Sequence, residues 1–574
     1  YTYTRGGELM KRAKKKRKLN GLGILLLVCL ILLVVFLIYR RLNVKGKPLF
    51  PIYTDMYIAS TSNTVSIYNY DDETKALTKL DEELTRGTKV SSDKTNITYE
   101  EVNYTKVILD KGIYYIETNN LKNNKKDVVL EDTKYVRTSA TIYKNEKDSK
   151  IESLVKKGNS LKVLDYDYLK DDGSVNMYKI DYDGTTGWVY GKYLVDTEEL
   201  AQENYNENSI YDIHKDRKYS RELYGGKAST LDYYPYEKPV FEDNPIMKNA
   251  KAMYLNAATI GGIDSYLKIA KNNGVNTIVV DIKDGALAYT SEVAKEYSPT
   301  AYATAINDND DYKKAIDKIK ESGIYVIGRI VVFNDVHYGK DHKDECISGS
   351  TWPSAYSRGA WEYNVELAKE AVKLMGFNEI QFDYVRFPET AYRMSVNNAD
   401  FKNTYNEEKA EAIQNFLFYA TDQIHKDNVY LSVDVFGECS STYVTAYGQY
   451  WPAISNVVDV ISSMPYTDHF GRNIDTWTNA YKTVNNWAKG AAERQTEIPT
   501  PAIARTWITA YDTPYWNPTV IYGQQKIEDQ VNALYDAGLT GGFITWNGKS
   551  SLSKYEQIKG AFNKDYGQTN WSRN

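Results

Sequence analysis

Aspartates close a series of short apolar runs in the second half of this sequence: Ile278-Val279-Val280-Asp281, Ile380-Gln381-Phe382-Asp383, Leu431-Ser432-Val433-Asp434 and, after Met464-Pro465-Tyr466-Thr467, Asp468. Charged side chains seldom end buried apolar segments unless they are paired or functional. Two carboxyl groups, one protonated and one acting as base or nucleophile, are what cleavage of a glycosidic bond requires, about 5–5.5 Å apart for retention and about 6.5–9.5 Å for inversion. Asp383 is the first candidate and Asp434 its partner, with Asp281, Glu438 and Asp468 in reserve. The division between nucleophile and acid stays open. Tyr384 and Arg386 could position Asp383 or the substrate. Arg329, Gln381, His469, Arg505 and Asn547 could hydrogen-bond sugar hydroxyls, together with Asp281 and Asp468. Tyr466, Trp507 and Trp546, ahead of Trp352 and Trp361, offer flat faces for sugar rings. Any single acid could instead be a structural partner of Arg329, Arg386 or Arg505, and any single aromatic could be core packing.

Other chemistries find less support. Asp281, Asp383 and Asp434 could hold a hard cation, but there is no His-Glu-x-x-His. The His-Lys-Asp triplets at His214, His342 and His425 fall in a linker, a loop and a helix end, where they read as solvated turns. No Gly-x-Ser-x-Gly elbow occurs, and neither Cys346 nor Cys439 sits in a nucleophile motif. No metal and no cofactor is expected. The 71 basic and 76 acidic residues nearly balance, which argues against nucleic acid as a partner. The 52 tyrosines, against 14 phenylalanines, suit polar ring-shaped ligands or a Tyr-rich β-surface.

The acids need a scaffold that brings strand ends together. After Lys251, apolar strands alternate with amphipathic helices, the pattern of a parallel sheet with helical crossovers. Eight strands are predicted: Ala252–Leu255, Thr277–Ile282, Tyr325–Val332, Glu379–Tyr384, Tyr430–Phe436, Val458–Ser463, Ala502–Arg505 and Gly542–Trp546. Helices are predicted at Tyr312–Glu321, Tyr363–Met375, Glu407–His425, Ile474–Ala488, Gln525–Ala537 and Lys554–Phe562. Eight such units make an α/β fold of the (β/α)8 TIM-barrel type over 250–565, with chemistry at the C-terminal strand ends. The blocks Asp281-Ile282-Lys283-Asp284-Gly285, Gly376 to Pro388 and Gly541-Gly542-Phe543-Ile544-Thr545-Trp546-Asn547 resemble a bacterial glycosyl hydrolase (TIM-barrel) domain family. The resemblance covers roughly Lys251 to Phe562 and implies action on carbohydrate.

Between Thr54 and Val195 short alternating runs separated by Asp, Asn and Gly predict two small all-β modules, 54–125 and 132–195. In the second, Thr138 to Tyr143, Val155 to Val163 and Gly187-Trp188-Val189-Tyr190-Gly191-Lys192-Tyr193-Leu194 resemble bacterial SH3-type domains. The first repeats this more loosely and lacks the closing Gly-Trp-Val. The resemblance implies contact with cell-wall glycan or peptide; spacers would look the same. Residues 196–249 read as a linker or strap. Ahead of these, Leu22 to Tyr39 is an 18-residue run without a charge, close to the length that crosses a hydrocarbon core of about 30 Å. Lys11, Arg12, Lys14, Lys15, Lys16, Arg17 and Lys18 crowd its N-terminal side, against Arg40, Arg41, Lys45 and Lys47. The run therefore predicts an uncleaved single-pass anchor, with 1–21 cytoplasmic and the remainder extracellular. Met10 reads as a natural start. The sequence as a whole points to a membrane-anchored glycoside hydrolase-like protein acting on wall or surface polysaccharide, or else to a non-catalytic binder of such glycans.

Overall fold

The computed structural model describes residues 21–42, 52–110, 112–203, 210–215, 217, 224–471, 473–513 and 515–569. The basic segment before the apolar run, Met10 included, and Lys45 and Lys47 after it lie outside the described residues. Two compact units are present, one running to Glu131 and including Leu169–Ser174, the other formed by Asp132–Tyr168 and Val175 onward.

In the first unit, helix α1 spans Gly21–Leu42. Its side chains are described over 25–36, and every residue there is exposed. Among the described residues no helix is long and apolar enough to cross a membrane. From Thr54 to Lys122 the chain forms an eight-stranded antiparallel sheet. Alternation supplies its core: along Thr64–Tyr70, Val65 and Ile67 are buried and pack with Ile58, Val90, Val107, Ile116 and Leu121.

The second unit opens with a seven-stranded antiparallel sheet between Thr133 and Val195. The N-terminal region is thus all-β, as its alternating runs predict. A parallel sheet follows: β1 (Ala250–Leu255), β2 (Thr277–Asp284), β3 (Tyr325–Val331), β4 (Glu379–Asp383), β5 (Tyr430–Phe436), β6 (Val460–Met464), β7 (Ile503–Ala504), β8 (Thr506–Thr509) and β9 (Gly542–Trp546). Neighbours pair in sequence order from β1 to β7, β8 pairs with β9, and β9 returns to β1, giving a nearly closed barrel-like sheet of nine segments. Strands buried on both faces need continuous apolar runs, which is why β2 is buried from Thr277 to Lys283.

Two elements differ from expectation. The predicted strand Ala502–Arg505 is in two pieces, β7 and β8, broken at Arg505. The Arg505 N–H still donates to Ile461 O of β6 (3.0 Å), while from Thr506 the chain pairs with β9 instead. The predicted helix Ile474–Ala488 is also broken, into Ile474–Thr478 and Ala480–Gln495, because the Asn479 side chain accepts from Lys482 N–H and caps a new start.

Closure between the last and first strands depends on one glycine. Gly542 has φ +94°, and a Cβ there would lie 2.2 Å from Ala250 N and O. We expect Gly542→Ala to cost at least about 2 kcal/mol, read by thermal unfolding, since both the φ and the strand contact must give way.

The seven-stranded sheet packs on helices α2 (Arg358–Met375) and α3 (Lys409–Ile424) of the same unit. Tyr193 Oη donates to Asp422 Oδ2 (2.7 Å), Tyr419 Oη to Ser149 O (2.9 Å), and Ile151 N–H to Glu362 Oε1 (2.7 Å). Lys192 pairs with Asp422, and Tyr143 stacks on Tyr419. As a result α3 is buried on all sides, Glu411 being the one residue outside its buried set. In the segment before β1, Leu231 and Tyr233 join Ala410, Val444, Tyr450 and Ile498 in a core cluster. His214 is not in a solvated turn: it is buried, stacked on Tyr233 with ring centres 3.8 Å apart, with Nδ1 2.8 Å from Tyr450 Oη. Cys346 and Cys439 are both buried free thiols.

Candidate active site

Successive residues of a strand face opposite ways, so Glu379, Gln381 and Asp383 of β4 share the inner face. Each meets a different rung of polar partners. At the start of the strand, Glu379 Oε1 accepts from Arg505 Nη1 (2.7 Å) and Oε2 from Tyr325 Oη (3.1 Å). In the middle, Gln381 Nε2 donates to Ser462 Oγ (3.2 Å). At the C-terminal end stands Asp383.

That upper rung is organised around Arg329, a buried residue of β3. Its Nη1 donates to Asp281 Oδ1 (2.7 Å) and Asp284 Oδ2 (3.1 Å), and its Nη2 to Asp383 Oδ2 (2.6 Å). Its Nε lies 3.7 Å from Asp434 Oδ2, and neither atom has a hydrogen-bond partner. Tyr254 Oη donates to Asp281 Oδ2 (2.5 Å), Trp507 Nε1 to Asp434 Oδ1 (2.7 Å), and Tyr384 N–H to Asp383 Oδ1 (2.6 Å). Tyr384 has φ +54°, a conformation uncommon for a bulky residue, where the chain leaves β4. Among the described residues no group of three or more His, Cys, Asp or Glu could hold a metal ion. The place a cation would take between Asp281, Asp284 and Asp383 is filled by the Arg329 guanidinium.

Above this rung is a cavity of about 240 Å³ lined by Asp284, Arg329, Asp383, Tyr384, Arg386, Phe436, Met464, Tyr466, His469, Trp507, Tyr511 and Trp546. Asp383, Arg329, Tyr384, Arg386, Tyr466, His469, Trp507 and Trp546 are thus brought together as the sequence reading grouped them. Asp281 and Asp434 do not line the cavity, Asp281 being bonded to Arg329 and Asp434 to Trp507, which are both in its wall. Asp468 accepts from Tyr511 Oη (2.7 Å) at the rim. Asn547 donates to Ser551 O and lines an adjoining cavity of about 610 Å³ that shares Tyr511 and Trp546. Arg505 and Gln381 lie on the lower rungs, away from the cavity. Glu438 is held by the hydroxyls of Tyr443 and Tyr447 (2.8 and 2.9 Å). Trp361 is packed against Phe416 and Tyr419. Sequence reasoning left out Tyr254, Asp284, Phe436 and Tyr511. Asp284 carried a signal, three residues beyond Asp281, but a β-bulge between Asp281 and Lys283 changes which side chains face inward.

Burial and charge set the acids apart. Burial pushes Asp281 up to about 6 against the opposing pull of Arg329. Asp434 is raised well above the usual carboxylate range, first by burial and then by the neighbouring Asp383 charge. A carboxyl with a folded pKa above its unfolded value of about 3.9 favours folding at low pH, and that contribution is lost as pH rises through the folded pKa. The stability of the parent relative to Asp281→Asn should therefore fall by about 2–3 kcal/mol between pH 4 and pH 7, which urea unfolding at several pH values would measure.

Solved structures to which the chain is similar include a hypothetical protein from Ruminiclostridium thermocellum, at 31% identity over 32% of this chain and 97% of that one with a TM-score of 0.27. The glycoside hydrolase domain of PgaB (BpsB) from Bordetella bronchiseptica is 11% identical over 55% of this chain and 98% of that one, TM-score 0.41. A GH18 chitinase from Pseudoalteromonas aurantia is 12% identical over 54% and 98%, TM-score 0.34. No protein of curated function matches the chain. The family model described as "Putative glycosyl hydrolase domain" matches residues 252–552, just over half of the chain and the whole acid-lined cavity. The chain belongs to this glycosyl hydrolase domain family.

Proposed function

We propose that this protein is a membrane-anchored, extracytoplasmic glycoside hydrolase acting on cell-wall or surface polysaccharide, built on a (β/α)8 barrel whose seventh strand is interrupted at Arg505. One observation carries the reading: Asp383, bonded to Arg329, faces a cavity walled by Tyr384, Tyr466, Trp507 and Trp546, with a second carboxyl of raised pKa on the neighbouring strand. Asp383 is the nucleophile or base. For the proton donor, Asp434 has the electrostatics, whereas Asp284 has the access, with 44% of its side chain exposed on the cavity side of Arg329. The apolar side chains exposed along α1 support the anchor, and the two β-modules are read as SH3-type domains that hold or guide wall glycan.

The test is incubation of the full chain with purified wall and capsular glycans, with new reducing ends counted by mass spectrometry. Products identify a glycosidase. The enclosure of Asp434, whose side chain is 0% exposed, favours a second reading in which the cavity binds glycan without cleaving it. Binding without products across the panel would establish that reading instead. Recovery of the full chain, but not of one starting at Ile52, in alkali-washed membranes tests the anchor.

A further inference from the structure

Two arginines line the same cavity, and their charges are balanced in opposite ways. Burial works against the charge of Arg329, yet Asp383 and Asp281 outweigh it and raise the pKa well above the ordinary value. Arg386 is also buried, at 4% exposure. Its carboxylate neighbour Glu389 is 3.4 Å from Nη2 and is itself 68% exposed, so solvent competes for that contact. Nη1 donates to Phe387 O (3.1 Å). The other surroundings are aromatic, with the guanidinium carbon 4.3 Å from the Phe436 ring centre and 4.8 Å from that of Tyr384, both cavity walls. Here burial prevails over the neighbouring carboxylates and the pKa is lowered. Ring faces offset part of the lost hydration, and the partner that matches the planar guanidinium fork most strongly is an anionic oxygen pair.

We infer that Arg386 is a subsite for an acidic group on the glycan, a uronate carboxylate or a phosphate substituent, seated against Tyr384 and Phe436. The inference rests on the glycan-acting reading above and narrows its substrate class to anionic polysaccharide. The carboxylates gathered around Arg329 repel a further anion there, so within this cavity Arg386 is the place for it.

Calorimetric titration of the full chain tests this with matched pairs: a uronate oligosaccharide and its carboxyl-reduced form, and a phosphate-substituted glycan before and after phosphatase. The acidic member of one pair should bind more tightly, and which pair shows the preference identifies the anion. Arg386→Gln should weaken that member by about tenfold and its neutral counterpart by much less, so that the preference for the acidic member is lost. Glu389→Gln, on an exposed side chain, should strengthen the acidic member by about two- to fivefold, a gain that a purely structural Arg386 would not give. Equal binding of acidic and neutral members by the parent, or equal effects of both substitutions on both members, would overturn the inference and leave the glycosidase reading standing. Failure of every glycan to bind would remove both.

Discussion

Replacing Asp383 by Asn should lower turnover of a cleaved glycan by about 10³-fold while leaving the affinity for that glycan nearly unchanged. Asn keeps the size of the side chain and can still accept from the Tyr384 N–H, so the cavity wall is preserved. It loses the charge that Arg329 Nη2 holds 2.6 Å away, and with it the nucleophile or base. Kinetics on the full chain, with thermal unfolding as the control for folding, would show the loss. Turnover within tenfold of the parent would place the chemistry elsewhere. Asp434→Asn and Asp284→Asn complete the comparison. Burial and the Asp383 charge push the Asp434 pKa up, and Asn at that position retains the Trp507 bond, so the stability of Asp434→Asn should differ from the parent by no more than about 1 kcal/mol near neutral pH. If that variant is nonetheless inactive while Asp284→Asn works, Asp434 is the proton donor. The reverse pattern assigns the role to Asp284.

Removing the cation should be the most destabilising single change in the barrel. Arg329→Met leaves Asp281 and Asp383 without their counter-charge, and breaking a buried charge network from one side costs about 3–5 kcal/mol. Without Arg329 nothing opposes the effect of burial on Asp281 and its folded-state pKa rises further, so protonation relieves the strain and the penalty should be smaller at pH 4.5 than at pH 8. Denaturant unfolding of parent and variant at both pH values measures this. A penalty that is the same at both would mean that lost packing, and not unpaired charge, accounts for it.

Much of this site was legible in the sequence, for a local reason. A strand declares itself through neighbours two positions apart, so the polar residues at the ends of apolar runs mark both the strand and its inner face. Asp383 and Asp434 were singled out that way, and so were Tyr466, Trp507 and Trp546 of the cavity wall, but not Phe436 or Tyr511. The same logic could not rank the arginines. Arg329, Arg386 and Arg505 stand in similar apolar contexts, yet one gathers the acids, one lines the cavity almost unmatched, and one ties Glu379 at the other end of the barrel. The carboxylate partners are 45 to 126 positions apart in the chain for Arg329 and Arg505, and only closure of the sheet selects them.

By itself, then, the sequence determined the alternation of strands and helices, the all-β character of the N-terminal region and the level of the barrel at which its acids sit, because these follow from periodicity and burial within a few residues. The tertiary structure decided the rest. Ring closure through Gly542 put Trp507 of β8 against Asp434 of β5. Packing of the second β-sheet on α2 and α3 buried a helix whose exposure its own pattern left open. Burial, with Asp383 beside it, raised the pKa of Asp434 against the pull of Arg329, since electrostatic character belongs to the assembled surroundings and not to the residue type.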